Sequence, residues 1–179
     1  MAYIKARPSL PRRVDRHLHG RTLHCVDIEV TLLAEEHRAG LHALLTAVNW
    51  GRLAQELAQG GLSTHSPYVA LSDGKVVGWL EGVLTNYEDT RVSLYPPPQT
   101  RINYVLTAPS MRRAGIGSAL LHRFAADAAV AERSFVVLWA DEREPGARLA
   151  FFAACGFEPI PDSGFLGVRV DVLLANTAR

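Results

Sequence analysis

The 179-residue sequence predicts one α/β domain, a mixed sheet with helices on its faces, and three observations carry that expectation. Val26, Ile28, Val30 and Leu32 alternate with polar residues, the period of two of a half-buried strand. Asp73-Gly74 stands between the apolar runs 68–71 and 76–80, a hairpin pattern because both turn positions need positive φ. The second half then reads strand, helix, strand, helix, and such a crossover needs a parallel pair inside the sheet.

Taken in order, the elements follow from periodicity and punctuation. After the first strand, residues 33–58 read as helix, with Leu41, Leu44, Leu45 and Val48 on one face and Leu53 and Leu57 following. Asn49 and Gly51 interrupt it and Gly60-Gly61 end it. Beyond the hairpin, residues 86–100 contain Pro96-Pro97-Pro98 and are expected to form an irregular loop, of the length that is often functional inside a compact domain. Residues 102–107 read as strand, and 115–130 as helix with Ile116, Leu120 and Phe124 on one stripe. The continuous apolar run 135–139 suits a strand buried on both faces. Residues 147–154 form a helix closed by Gly156, and the alternation over 168–172 predicts a closing strand.

Composition narrows the function classes. Hydrophobic residues make up 48% and the formal net charge is +1. These values argue against wholesale disorder and against a dedicated nucleic-acid binder, which would show a basic excess. No apolar run approaches the roughly 18–20 residues of a membrane span, and residues 1–20 lack the apolar core of a signal peptide. Cys25 and Cys155 are too few for a disulfide framework. Cys155 lies in the apolar run 151–155 and is expected as a small buried thiol, in keeping with a reducing cytoplasm. His17 and His19 have no supporting ligand cluster, so no metal is expected. Residues 1–21 carry Lys5, Arg7, Arg12, Arg13, Arg16 and Arg21 against Asp15 alone. They read as a solvated arm, or as one that attracts an acidic partner, ahead of a single domain over 22–179.

The chemistry concentrates between the strand ending near Thr107 and the helix starting near Gly115. There the chain reads Arg112-Arg113-Ala114-Gly115-Ile116-Gly117-Ser118. Glycines at a helix start let a ligand approach the backbone. The first turn leaves N–H groups unpaired at the positive end of the helix dipole, which favours an anion. Arg112 and Arg113 add charge-assisted donors. Two familiar phosphate motifs fail: Leu120 stands where a dinucleotide fingerprint needs a third glycine or alanine, and no Gly-Lys-Ser/Thr triplet of a P-loop occurs.

Arg112, Gly115 and Gly117 resemble motif A of the GNAT superfamily of N-acetyltransferases, Arg/Gln-x-x-Gly-x-Gly/Ala, with Pro109 at the strand exit and Ser118-Ala119-Leu120-Leu121 following. Downstream, Phe151-Phe152-Ala153-Ala154-Cys155-Gly156-Phe157 resembles the family's motif B. The resemblance implies a mostly antiparallel sheet of six to seven strands in which one parallel pair splays apart, with helices on both faces. It implies acetyl-CoA as cosubstrate, its pantetheine arm against Val105, Leu106 and Thr107 and its pyrophosphate on the N–H groups from Arg112 to Ser118. A neutral amine of a small molecule or peptide would attack the thioester directly, with N–H groups near Leu106 and Thr107 polarising the carbonyl. A homodimer is a further family expectation.

The sequence also departs from the family pattern. The family's tyrosine, four residues before the motif B glycine, is Phe152 here, and Glu144-Pro145-Gly146 replaces the usual asparagine. Tyr104 or water is then the expected proton donor. Glu81, in the apolar strand after Trp79-Leu80, is a candidate base whose pKa an apolar setting would raise; the plainer reading is a strand residue facing water. Asp141 and Glu142 are alternative bases or a solvated strand end, and Glu88 and Asp89 could bind a cationic amine. His122 is expected on the exposed side of its helix, and Trp50, Trp79 and Trp139 in the core. Phe152 keeps open a second reading, a non-catalytic acyl-CoA-binding sensor.

Overall fold

The computed structural model describes residues 27–61, 66–89, 92, 94–139 and 145–178. The arm over 1–21, Cys25, Val26, Asp141, Glu142 and Glu144 lie outside the described residues. Among those described, seven strands form one sheet: β1 (Glu29–Leu32), β2 (Ser66–Ser72), β3 (Lys75–Tyr87), β4 (Gln99–Thr107), β5 (Phe135–Trp139), β6 (Glu158–Pro159) and β7 (Phe165–Arg169). Their order is β1-β2-β3-β4-β5-β7-β6. β4 and β5 run parallel and the other neighbours antiparallel, the mixed sheet that the resemblance implied.

Among the described residues, five α-helices cover the two faces: α1 (Arg38–Ala47), α2 (Gly51–Ala58), α3 (Ile116–Val130), α4 (Pro145–Ala154) and α5 (Val170–Thr177). α1 and α2 pack Leu41, Leu45 and Leu57 on Val69 and Trp79. The other face carries Leu80 and Ile102 against Leu120 and Phe124 of α3, Phe152 of α4 and Leu173 of α5. The break between α1 and α2 falls at Asn49, whose φ of 61° takes it out of the helix. Asp73 and Gly74 make the expected turn with φ of 50° and 72°.

Three expectations need correction. The excursion starts later and ends earlier than residues 86–100, because β3 runs to Tyr87 and β4 begins at Gln99, with those two residues paired. The Gln99 side chain knits the loop that remains: it accepts from the Asp89 N–H at 2.8 Å, donates to the Asp89 carbonyl at 3.1 Å, and donates also to the Tyr95 carbonyl. The closing strand stops at Arg169, and Val170-Asp171-Val172 opens α5. Val170, Leu173 and Thr177 are its buried residues, a helical spacing that continues beyond the five-residue alternation. His122 is not fully solvated, since its Nδ1 lies 3.2 Å from the Thr177 hydroxyl on α5.

The feature that positions the site is where β4 leaves β5. The two pair only from Gln99↔Phe135 to Ile102↔Leu138. On the β3 side the register jumps between Glu81↔Tyr104 and Gly82↔Ile102, leaving Asn103 as an extra residue, a β-bulge. From Asn103 to Thr107, the β5-facing edge of β4 has no strand partner among the described residues.

Candidate active site

The open edge of β4 leads to the start of α3. A short 3₁₀ turn (Pro109–Met111) closes the strand, and Gly115 caps the helix in the left-handed region with φ of 84°. Arg113 also has a positive φ, 67°. Ala119 donates to the Gly115 carbonyl at 2.9 Å, while the N–H groups of Gly115, Ile116, Gly117 and Ser118 make no backbone hydrogen bond among the described residues. These are the orphan donors of a helix start, and the exposed Arg112 and Arg113 stand beside them. The two glycines are not equivalent. A Cβ on Gly115 would meet nothing within 4 Å, whereas one on Gly117 would lie 2.9 Å from Phe151 Cζ. Gly115 keeps the cradle open; Gly117 lets α3 approach α4.

Strand alternation sorts the three residues of the β4 edge. Ala108 N–H donates to the Val77 carbonyl at 2.8 Å, so by alternation Leu106 turns its backbone groups to Trp79, while Val105 and Thr107 turn theirs to the gap. Available N–H groups thus occur in two sets, Val105 and Thr107 on β4 and Gly115 to Ser118 at the start of α3, while those of Ala108, Met111, Arg112 and Ala114 between them donate to backbone carbonyls.

A cleft of about 940 Å³ opens where β4 and β5 part. Glu81, Tyr104, Asn103, Trp50, Arg101, Arg148, Trp139 and Phe152 are among the residues that line it. Register brings the two candidate catalytic side chains together, because Glu81 stands directly opposite Tyr104. Glu81 is 5% exposed, so the reading of a strand residue facing water is overturned: the carboxylate is buried on the cleft wall. Its Oε1 lies 3.5 Å from Asn103 Nδ2. Tyr104 stacks on Trp79 at 5.4 Å and meets Trp50 edge-on at 5.7 Å, with its ring partly exposed. Phe152 is buried, packed edge-on against Phe157 at 5.4 Å.

Other expectations sort themselves by geometry. Glu88 and Asp89 do not line this cleft. Asp89 is buried and accepts from the Tyr87 hydroxyl at 3.3 Å. Burial pushes the Tyr87 pKa up, the Arg101 charge opposes the rise, and Asp89 reinforces it. Trp79 is fully buried, as expected, but Trp139 is 56% exposed and forms part of the cleft wall. It sits edge-to-face on Phe165 at 5.0 Å, at the end of a strand whose core half stops at Leu138. Cys155 is buried. Sequence reasoning missed Asn103 and Arg101 as site residues. The pattern that could have found them is Gln99-x-Arg101-x-Asn103, three polar residues at a period of two in a strand that otherwise looks internal.

Residues 63–159, more than half of the chain, match the family model of the acetyltransferase (GNAT) domain. No curated protein matches the chain. Among solved structures, the PaiA N-acetyltransferase from Thermoplasma acidophilum in complex with coenzyme A is similar, at TM-score 0.60 and 15% identity over 80% of this chain and 99% of that one. The GNAT family N-acetyltransferase YhbS from Escherichia coli in complex with CoA gives 0.57 and 17% over 88% of each chain. A GNAT family acetyltransferase from Staphylococcus aureus gives 0.60 and 12%, over 80% of this chain and 99% of that one. At such identities the likeness speaks for the fold, and the family rests on the sequence match: the chain belongs to the GNAT acetyltransferase family.

Proposed function

We propose that the protein is an acetyl-CoA-dependent N-acetyltransferase acting on a primary amine of a small molecule or peptide. One observation carries this reading. The unpartnered edge of β4 leads, through the turn at Pro109–Met111, to a second set of unpaired N–H groups at the start of α3, and the Glu81–Tyr104 pair stands on the cleft wall beside the strand. A long thioester with a diphosphate at one end fits two such sets of donors, one along a strand edge and one at a helix start.

In this reading Val105 and Thr107 hold the pantetheine arm by backbone hydrogen bonds. The N–H groups of Gly115, Ile116, Gly117 and Ser118 take the pyrophosphate, supported by Arg112 and Arg113. When bound, acetyl-CoA supplies an acyl group on a thiol of pKa about 8.5, a leaving group that departs without strong acid help. Glu81 accepts the proton of the incoming amine, directly or through a water. Tyr104, opposite it, returns a proton toward the departing sulfur, in place of the family tyrosine that Phe152 has displaced.

Calorimetric titration with acetyl-CoA, and separately with NAD and ATP, tests the cradle. Micromolar binding of acetyl-CoA alone is expected; no binding would remove the proposal. Thiol release from acetyl-CoA with a panel of amines then separates the enzyme from the second reading, an acyl-CoA-binding sensor. Phe152 on the cleft wall is the observation in favour of the sensor, and a sensor releases no thiol.

A further inference from the structure

Arg101 is a charged residue of the cleft that the proposed chemistry leaves unused. It stands on β4 opposite Val83 of β3 and beside Val137 of β5, one residue before the β4–β5 pairing ends. Its guanidinium carbon lies 5.7 Å from the centre of the Tyr87 ring and 5.9 Å from that of Phe165. Nε is buried with no hydrogen-bond partner. Among the described residues no carboxylate lies within 4.0 Å of the guanidinium. Among the described residues, a half-buried cation thus faces the cleft with aromatic neighbours and no carboxylate in direct contact, the nearest acid shown being Asp89 across the Tyr87 hydroxyl.

Aromatic contacts offset only part of the cost of desolvating a guanidinium, and they leave its in-plane Nε donor without a partner. That planar fork matches a carboxylate in both shape and charge. The rest of the cleft points the same way. Arg52, paired with Glu56 at 2.9 Å, and Arg148 also line it, and among the described lining residues Glu81 is the acid. Among the described lining residues, guanidinium groups outnumber carboxylates, and such a wall is a poor host for a polycation. It suits a ligand that brings its own negative charge along with an amine.

We propose that Arg101 binds a ligand carboxylate, and that the acceptor is therefore an amino-carboxylate whose amine reaches Glu81 while its carboxylate reaches Arg101. The acceptor assignment rests on the transferase reading given above; the carboxylate site does not. A dicarboxylic acyl group on coenzyme A would present the same chemistry from the other substrate. Across the bulge, Tyr104 and Arg101 face Glu81 and Val83, two residues apart on β3, roughly 7 Å at about 3.3 Å per residue, so the spacing between amine and carboxylate is a variable to scan.

The test uses the full chain and matched probes. Ligand-observed NMR titrations compare glycine, β-alanine, γ-aminobutyrate and 5-aminovalerate with their primary amides, in the presence of coenzyme A. Calorimetry compares succinyl-CoA with butyryl-CoA. Thiol release from acetyl-CoA is followed with the same amines. The expected result is at least one amino-carboxylate bound about tenfold or more tighter than its amide, the scale of a charge-assisted hydrogen bond. Arg101→Gln should abolish that preference and Arg101→Lys should retain part of it. Equal binding within every pair by the wild-type protein overturns the site, as does a preference that survives Arg101→Gln. If Arg101→Gln does not fold, the wild-type ratios and Arg101→Lys decide, and a preference undiminished in Arg101→Lys overturns the bidentate geometry. A preference confined to the succinyl/butyryl pair overturns the acceptor assignment and moves the carboxylate to the acyl chain. Absence of thiol release with every amine removes the transferase reading and the acceptor role with it, while the binding ratios still decide the carboxylate site.

Discussion

Alanine at Gly115 and at Gly117 should separate ligand binding from packing in the cradle. At Gly117 the added Cβ would stand 2.9 Å from Phe151 Cζ and 3.3 Å from Cε2, so the ring must give way by several tenths of an ångström. Overpacking of this kind costs about 1–3 kcal/mol, and because Phe151 is only half-buried the low end applies. At Gly115 there is space, but the φ of 84° costs an L-residue about 1–2 kcal/mol. The two variants should therefore lose similar stability, each melting roughly 2–4 °C lower per kcal/mol for a chain of this size. Their ligand binding should differ. Only Gly115→Ala puts a methyl group into the open space before the unpaired N–H groups, and the loss of one hydrogen bond to a charged ligand is worth about 1.5–3 kcal/mol, or at least tenfold in affinity. Thermal melting without ligand and calorimetric titration with acetyl-CoA read the two effects separately. Phe151→Leu combined with Gly117→Ala should be less destabilised than the sum of the single changes, because the clash is shared. Unchanged acetyl-CoA affinity in Gly115→Ala would refute the cradle; strict additivity of the Gly117 and Phe151 changes would refute the packing role.

The catalytic assignments and the core give three more tests. Glu81→Gln should lower turnover by about 10²–10⁴-fold and flatten the acid limb of the pH–rate profile; a persisting limb means that another group is the base. Phe152→Tyr places a hydroxyl on the cleft wall and should raise turnover where proton delivery limits the rate, read as a higher kcat at unchanged acetyl-CoA affinity. An unchanged kcat would show that the slow step lies elsewhere. Tyr68→Phe removes the hydroxyl that donates to Asp127 at 2.9 Å and should cost about 1–2 kcal/mol in urea unfolding. Burial, and after it the Asp127 charge, holds the Tyr68 pKa well above normal in the fold. The unfolded chain releases its proton near pH 10, so this contribution is complete below that pH and is lost as pH rises beyond it. Tyr68→Phe should soften the alkaline decline, and an identical decline in both proteins would refute the linkage.

What the sequence disclosed is local in character. The Asp73-Gly74 turn, the break at Asn49 and the donors at the start of α3 each depend on a few adjacent residues with special backbone needs, and those residues announce themselves. Element ends were less legible. Val168, Val170 and Val172 satisfy a period of two as well as Val170, Leu173 and Thr177 satisfy a helical one; five residues cannot separate the two, and burial against α3 decides. The triple proline made the excursion look longer than it is, because the Tyr87↔Gln99 pairing and the Gln99 side-chain bonds join residues separated in sequence. Trp139 looked internal because hydrophobicity suggests burial, yet it stands one residue past the last β4–β5 pair, where β5 keeps only β7 beside it. The inward aim of Glu81 depends on which face of β3 the helices α1 and α2 cover, and a single strand does not reveal that.

The site owes its composition to the extra residue in β4. Before the bulge, Arg101 points into the cleft and Ile102 into the α3 side of the core; after it, Tyr104 stacks on Trp79 and Leu106 joins the α1–α2 side, while Val105 packs with the α3 side. Ile102 and Val105, three residues apart, thus share a face. Strict alternation forbids that, and a single inserted residue permits it. Without Asn103 as the spare residue, the face that carries Arg101 would continue with Val105, and Tyr104 would turn away from Glu81. The same irregularity lies where β4 parts from β5, at Ile102↔Leu138. One bulge therefore accompanies the open backbone edge and sets the side chains beside it, so that unpaired backbone groups of β4 and the polar side chains of Glu81, Asn103 and Tyr104 occur at one place in the sheet.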